Sequence, residues 1–532
     1  MTITKNILTR GLIGDALKRA SNRFPTKQAL IYYDEAGKSG AYTYTELNRQ
    51  VNQVAHSLKK MGVEKGDRIA VVGRNSPEIV ILSYALIKIG AWYTPLNFML
   101  TPREISQLIQ TSQPRMFFVD GRNMNAVESI VNELNTVEQF VCYRSNEVPA
   151  GWIDFQQLQK GNDNELVEEI DDKDVAALFY TSGTESVPKG VMINHRNFFH
   201  ASYSYMAAGC FQPEDKLLLS LPLIHVAGFT FMLNAHMVGL TITMTETPIP
   251  SQMAKLIDEY RISFTALPPT LYLGILNVKD TDSYDFKSLR KLVTWSSTIP
   301  KAMVDGWNKL APEARFLTIQ GSSETTATPL TWGWFNTWDE VPNGDGRYVG
   351  YVAHTGSEIK LVDEDGNEVK DGQPGEQLAR GAVVVNGYYN NDAANEKAFQ
   401  NGWYYTGDVL IRDENGNYYF ADRKKDVVKT GGENVSSQEI ENSLSHHPKI
   451  SQCAVFGVPD PRWGEALAVA VVLKSGSTLT EEEIKDYCRD RLSGYKIPKY
   501  IVFRSSLPTT SAGKLLKRTL KEAYKNLSQV LE

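Results

Sequence analysis

A run of ten residues, Thr181-Ser182-Gly183-Thr184-Glu185-Ser186-Val187-Pro188-Lys189-Gly190, carries the densest chemistry in the chain. It follows the apolar run Ala176 to Tyr180, so a short strand opens into a loop of small hydroxylated residues, glycine and one lysine. Backbone N–H groups, O–H donors and an ammonium on such a loop suit a polyphosphate. It is not a Walker loop, because the lysine follows proline and no Ser or Thr comes after it. A turn-rich solvent loop is the plain alternative.

Other candidate groups lie downstream, and each has an ordinary reading when taken singly. His225, within Pro222-Leu223-Ile224-His225-Val226-Ala227-Gly228, reads alone as a core histidine. Glu324, after Gly321-Ser322-Ser323, reads as an acid at a helix start. Asp422-Arg423-Lys424-Lys425-Asp426 reads as a solvated charge run, and Lys514 as a solvated lysine in a Ser/Gly loop. Asp408 closes Tyr404-Tyr405-Thr406-Gly407-Asp408, and the paired Gly431 and Gly432 permit close approach by a narrow group.

Their order along the chain removes the ambiguity. The loop resembles the phosphate loop T-S-G-T-T-G-x-P-K-G of the adenylate-forming (AMP-binding) superfamily, which includes acyl- and aryl-CoA synthetases, adenylation domains and beetle luciferases. Here Glu185 and Ser186 stand in place of Thr and Gly. Pro222 to Gly228 resembles P-L-F-H-x-x-G, and Gly321 to Glu324 resembles Y-G-x-T-E with Gln320 at the tyrosine position. Tyr404 to Asp408 matches Y-x-T-G-D, and Asp422 to Asp426 resembles the [GD]-R-x-K-[DE] hinge. Lys429 to Val435 with Glu439-Ile440-Glu441 matches K-x-x-G-x-x-[IV] and E-I-E, and Leu507 to Lys514 resembles L-P-x-T-x-x-G-K.

The resemblance implies a set of roles. Thr181, Ser182, Gly183, Thr184 and Lys189 surround the phosphates of ATP; Ser297, Gly321, Ser322 and Ser323 lie along the nucleotide; Asp408 and Arg423 hold the ribose. Glu324 holds magnesium, for which hard carboxylate oxygen is suited. His225, Val226, Ala227, Gly228 and Trp295 line the acyl pocket, Lys425 is the hinge, and Lys429, Gly431 and Gly432 form a tunnel for the thiol of coenzyme A. Lys514 is the catalytic lysine. Bringing a carboxylate to the α-phosphate sets one anion against several, and a cation between them offsets repulsion of several kcal/mol or more. The second step, attack of a thiol on the acyl-adenylate, requires Lys514 to withdraw, which a small domain on a hinge allows.

Expected function follows as an ATP-dependent acyl-CoA synthetase, an acid–thiol ligase. The stretches expected around the acid, Val226 to Met232, Phe264 to Pro269, Trp295 to Thr298 and Ser322 to Pro329, hold no Arg, Lys or Asp. Apolar burial of a medium- or long-chain fatty acid is favoured over an amino acid. Aryl acids, a stand-alone ligase charging an acyl carrier protein, and an inactive nucleotide- or acyl-binding homologue are the alternatives. Trp295 stands where the family commonly has glycine, either as a core residue beside the site or as a plug that shortens the accepted chain.

The elements that must position these residues alternate. The segment Tyr44 to Gly62 has Leu47, Val51, Val54, Ala55 and Leu58 at helical spacing. Runs Met116–Asp120, Phe140–Tyr143, Ala176–Tyr180, Lys216–Ser220, Thr241–Thr245 and Lys291–Thr294 read as strands between helical patterns, predicting an α/β fold of helix-covered, mostly parallel sheets. From about Val349, turns at Asp365-Gly366, Asn401-Gly402 and Asn415-Gly416 mark a β-rich subdomain. The division expected is 1–422 as the N-terminal AMP-binding domain with 349–422 β-rich, 423–425 as hinge, and 426–532 as a small, mobile α+β lid.

Composition excludes other classes. The chain has 532 residues, too many for one ordinary core, and a net charge of −6, which gives no broad attraction for nucleic acid or an anionic bilayer. No stretch nears the ~20 apolar residues of a membrane span and Met1 to Ala20 lacks a signal core, so a cytoplasmic protein is expected. Cys142, Cys210, Cys453 and Cys488 show no metal or disulfide spacing. The partners expected are a small carboxylic acid, ATP with Mg2+, and CoA, together with a second copy of the chain in a homodimer.

Overall fold

The computed structural model describes residues 11–181, 188–209, 211–295, 298–328, 330–353, 356–424, 426–430, 433–460, 463–492, 494–509 and 515–527. Among the described residues four sheets carry the fold. The first runs Ile153–Asp154, Gln139–Tyr143, Met116–Asp120, Arg68–Val72, Trp92–Leu96, β1 (Val175–Thr181) and β2 (Lys189–Asn194). All its neighbours are parallel except the final β1/β2 pair. Continuous apolar runs such as Met116–Asp120, buried along their whole length, are what a sheet covered on both faces requires.

The second sheet has nine strands. Its parallel centre is β3 (Lys291–Thr294) and β4 (Arg315–Gln320) with Phe264–Ala266, Lys216–Leu219, Thr241–Thr245 and Gln28–Tyr33. Antiparallel strands close it on both sides. Between the two sheets lies one large apolar core that includes the helix Tyr44–Lys60, whose Leu47, Val51, Val54, Ala55 and Leu58 are fully buried. A capping box of Thr43 and Glu46 starts that helix. Helix α1 (Val226–Val238) is buried nearly all round, as expected for a helix between two sheets.

The third sheet is antiparallel and includes Pro374–Gly381, β5 (Trp403–Arg412) and β6 (Tyr418–Arg423). The fourth joins Val428–Thr430, Ile450–Asp460, Gly464–Leu473 and Tyr500–Phe503, with helices α2 (Ser437–Ser445), Glu481–Arg489 and α3 (Lys517–Ala523). Its apolar residues form cores of their own, centred on Val455, Val469 and Ile484 on one face and Phe456, Ala468 and Leu520 on the other. The mixed α/β architecture expected from the alternating pattern is the one observed. Among the described residues no helix is long and apolar enough to cross a membrane.

Candidate active site

Three of the four sheets are joined by side-chain contacts around Glu324, Gln320 and Asp408. Thr181 pairs with Lys189 across the β1/β2 hairpin; Ser182, Gly183 and Thr184 lie outside the described residues. The segment Gly387 to Tyr389 runs beside β2, with Met192 N–H donating to Gly387 O at 3.2 Å and Tyr389 N–H to Gly190 O at 2.8 Å. Between those bonds, Tyr388 turns its ring under Lys189, whose Nζ is 5.2 Å from the ring centre, and its hydroxyl donates to Glu324 Oε1 at 2.9 Å. Lys189 and Glu324 are thus joined through one buried tyrosine. Asn395 fixes that tyrosine by accepting from its N–H at 2.7 Å and donating to its carbonyl at 3.0 Å. Neither Tyr388 nor Asn395 was legible as a site residue, since neither stands in a spacing pattern.

Glu324 sits in a single turn, Ser323–Thr325, just after β4. Gly321 has no room for a side chain, because a Cβ there would lie 2.2 Å from Thr328 O where the turn folds back. Beyond it Thr326 and Ala327 both have positive φ, 58° and 51°, a strained conformation for a β-branched residue and its neighbour. Surrounding bonds hold them there: Thr326 Oγ1 donates to Val383 O at 2.8 Å, Thr230 of α1 to Thr326 O at 3.3 Å, and Tyr205 to Ala327 O at 2.5 Å. Ser322 and Ser323 are half-buried on the same turn.

Asp408 on β5 faces Arg423 on β6 in register. Arg423 Nε lies 2.8 Å from Asp408 Oδ1, an ion pair that raises the guanidinium pKa further, while Gln320 at the end of β4 donates to Asp408 Oδ2 at 3.0 Å. Asp408 is 3% exposed, so its carboxylate meets these partners in place of water. Gly407 takes φ +71°, the bend that turns the strand here, and Thr406 Oγ1 accepts from Asp408 N–H at 3.1 Å. The departure at position 320 has a partner in the structure: the glutamine amide reaches the carboxylate of the third sheet.

His225 precedes the first turn of α1. Burial lowers its pKa, and its Nε2 is shielded without a hydrogen-bond partner, so the neutral imidazole is favoured. Val226 is buried and Ala227 half-buried. Gly228 is accounted for by packing, because a Cβ would lie 2.5 Å from Pro222 O. Asn75, which follows the strand Arg68–Val72, donates to Leu221 O at 3.0 Å and Thr245 O at 3.1 Å and accepts from Leu223 N–H at 2.8 Å. This one buried amide ties the first sheet to the loop that carries His225. Trp295 follows β3 and stacks on Phe231 of α1, centroids 6.0 Å apart and planes 22° apart. Ser297 lies outside the described residues; Thr298 beyond it donates to Gln438 of α2 at 3.4 Å.

Lys425, Gly431, Gly432 and Lys514 also lie outside the described residues. Lys429 is placed by its backbone alone, opposite Asn434.

Comparison with known proteins bears on the family and the fold. Residues 17–389 match the model of the AMP-binding enzyme family, and residues 439–514 that of the AMP-binding enzyme C-terminal domain. The chain is 30% identical over 524 residues to a long-chain-fatty-acid–CoA ligase of Thermus thermophilus, covering 96% of this chain and 95% of that one. It is 29% identical over 487 residues to a feruloyl-CoA synthase of an Amycolatopsis species, covering 91% and 94%. An anthranilate CoA ligase solved with anthranoyl-AMP superposes with a TM-score of 0.87 at 25% identity, covering 97% of this chain and 98% of that one. With two family models, full-length relatives and a shared fold in agreement, this chain belongs to the AMP-binding enzyme family, the adenylate-forming superfamily of acyl- and aryl-CoA synthetases.

Proposed function

We propose that the protein activates a carboxylic acid with ATP and transfers the acyl group to coenzyme A. The observation that carries this reading is the convergence of Lys189, Tyr388 and Glu324 with Gln320, Asp408 and Arg423, which places one cation and one carboxylate at each end of a site for one nucleotide. In the first step a carboxylate oxygen attacks the α-phosphorus and the bond to pyrophosphate breaks. Thr181, Ser182, Gly183, Thr184 and Lys189 are assigned to the leaving pyrophosphate, and Asp408 with Arg423 to the ribose. Ser297, Gly321, Ser322 and Ser323 are assigned to the rest of the nucleotide, and Lys514 to the space between acid and α-phosphate.

Magnesium carried by the triphosphate suits the donors present. Tyr388 occupies Oε1 of Glu324 and leaves Oε2, a hard oxygen. Among the described residues no group of three or more His, Cys, Asp or Glu comes together, which fits an ion held by one carboxylate and phosphate oxygens; when bound it offsets phosphate charge.

In the second step the thiol loses its proton, its sulfur attacks the acyl carbon and AMP leaves. Rotation of 426–532 about 423–425, with Lys425 as pivot, is assigned to the exchange of Lys514 for Lys429, Gly431 and Gly432. His225, Val226, Ala227, Gly228 and Trp295 are assigned to the acyl pocket, and a medium- or long-chain fatty acid is the substrate proposed. A second reading, an aryl acid, is favoured by the flat aromatic wall of Trp295 on Phe231.

The test is a panel of fatty and aryl acids assayed for AMP release with ATP, with and without CoA. AMP accumulating only when acid, ATP and CoA are all present is the expected result. Turnover with a carrier protein but not CoA would transfer the reading to a carrier ligase, and no ATP cleavage with any acid would remove it.

A further inference from the structure

Tyr388 is 4% exposed, and it meets the candidate site with two different parts of one side chain. Its ring face carries the ammonium of Lys189, 5.2 Å from the centroid, while its hydroxyl donates to Glu324 Oε1 at 2.9 Å. A phenol offers both functions, an electron-rich face for a cation and an O–H for a carboxylate. Phe399 packs on the same ring with centroids 5.8 Å apart, which limits the ways the ring can turn. A plain packing role accounts for the ring but not for the hydroxyl's partner.

The backbone on either side of Tyr388 is fastened as well. Ahead of it, Asn197 donates to Ala382 O at 2.8 Å and to Val384 O at 3.1 Å, and Val385 N–H donates to Glu324 O at 2.9 Å. Gly387 takes φ +133°, and a Cβ there would lie 2.6 Å from Asn395 Oδ1, the atom that accepts from Tyr388 N–H. Behind it, Tyr389 N–H donates to Gly190 O beside Lys189. This strap therefore holds Glu324 twice, at its carbonyl through Val385 and at its carboxylate through Tyr388.

We propose that Tyr388 is a positioning residue for the magnesium that accompanies ATP: its hydroxyl holds one oxygen of Glu324 and leaves the other for the metal, while its ring separately seats Lys189 for the phosphates. The inference rests on the acyl-CoA synthetase reading above. A hydrogen-bond partner of a metal-ligating carboxylate contributes about 10–100-fold to metal affinity by fixing how the carboxylate is turned. Removing the hydroxyl therefore weakens the metal and spares the nucleotide, whereas removing the ring weakens both.

The test reads metal affinity directly in the full-length enzyme. With α,β-methylene-ATP bound, which cannot be cleaved between its α and β phosphorus atoms, Mn2+ is titrated and followed by electron paramagnetic resonance. Tyr388→Phe removes the hydroxyl alone and is expected to weaken Mn2+ about tenfold while affinity for the metal-free nucleotide stays within about twofold of wild type. Tyr388→Leu removes the ring as well and is expected to weaken Mn2+ equally and the metal-free nucleotide about fivefold; it carries the Mn2+ reading if Tyr388→Phe fails to fold. In acid-dependent exchange of labelled pyrophosphate into ATP, Tyr388→Phe is expected to regain the wild-type rate at saturating Mg2+, a rescue that a purely structural defect does not show. Unchanged Mn2+ affinity in Tyr388→Phe, or exchange lost at every Mg2+ concentration, would overturn the positioning role alone, and unchanged nucleotide affinity in Tyr388→Leu would overturn the ring's share in it. A wild type that binds no Mn2+ alongside α,β-methylene-ATP would overturn the underlying reading and the positioning role with it.

Discussion

Gln320 illustrates how one side chain's meaning depends on what faces it. In the sequence it is an amide where the family pattern has tyrosine; in the fold it is 7% exposed and donates to Asp408 from a different sheet. Removing it leaves Asp408 Oδ2 without that donor, a cost of about 1–3 kcal/mol for a buried charged acceptor. Gln320→Ala is therefore expected to raise the KM for ATP about tenfold with kcat little changed, as measured by steady-state AMP release. An unchanged KM would mean that Arg423 alone holds Asp408. Trp295 is the second residue with a separable effect. Its stack on Phe231 closes volume beside α1, and each methylene of an acid newly accommodated there contributes about 0.8 kcal/mol. Trp295→Gly is expected to move the kcat/KM optimum toward longer acids across a chain-length series. A profile that does not move would make Trp295 a packing residue only.

At the scale of elements, α1 shows how a helix with no amphipathic pattern is fixed by what packs around it. It is apolar on all sides, so periodicity predicts no outward face. Within it His236 is fully buried between Tyr44 and Tyr84, with Tyr84 Oη 3.0 Å from Nδ1. Burial pushes its pKa from 6.5 down to about 4. The folded state thus favours the neutral ring, and its contribution to stability is full above the unfolded value and is lost as pH falls through the folded one. From pH 7 to pH 4 the wild type is expected to lose roughly 3 kcal/mol more unfolding free energy than His236→Phe. Urea titrations at the two pH values measure this, and parallel losses would contradict it. The strands were legible because their apolar runs are local signals: Met116–Asp120, Thr241–Thr245 and Lys291–Thr294 appear with the bounds that their composition suggests. The helix of residues 44–62 ends two residues early, at Lys60, where Met61 and Gly62 turn the chain into the next strand.

At the scale of the molecule, the site depends on sheets that meet. Asn75 fastens the first sheet to the loop before α1, Tyr388 and Glu324 join β2 to the turn after β4, and Gln320 and Asp408 join the second sheet to the third. By itself the sequence determined the family, the α/β class and the identity of the motif residues, because local composition and ordered motifs survive without coordinates. Tertiary structure alone decided which residues hold those motifs in place: Tyr388 and Asn395, and Tyr205 and Thr230 against the strained pair Thr326 and Ala327. Apart from Tyr388 and Asn395, which are seven residues apart, those groups meet partners about a hundred residues away along the chain, and a hydrogen bond of such range leaves no period or spacing for a sequence to display.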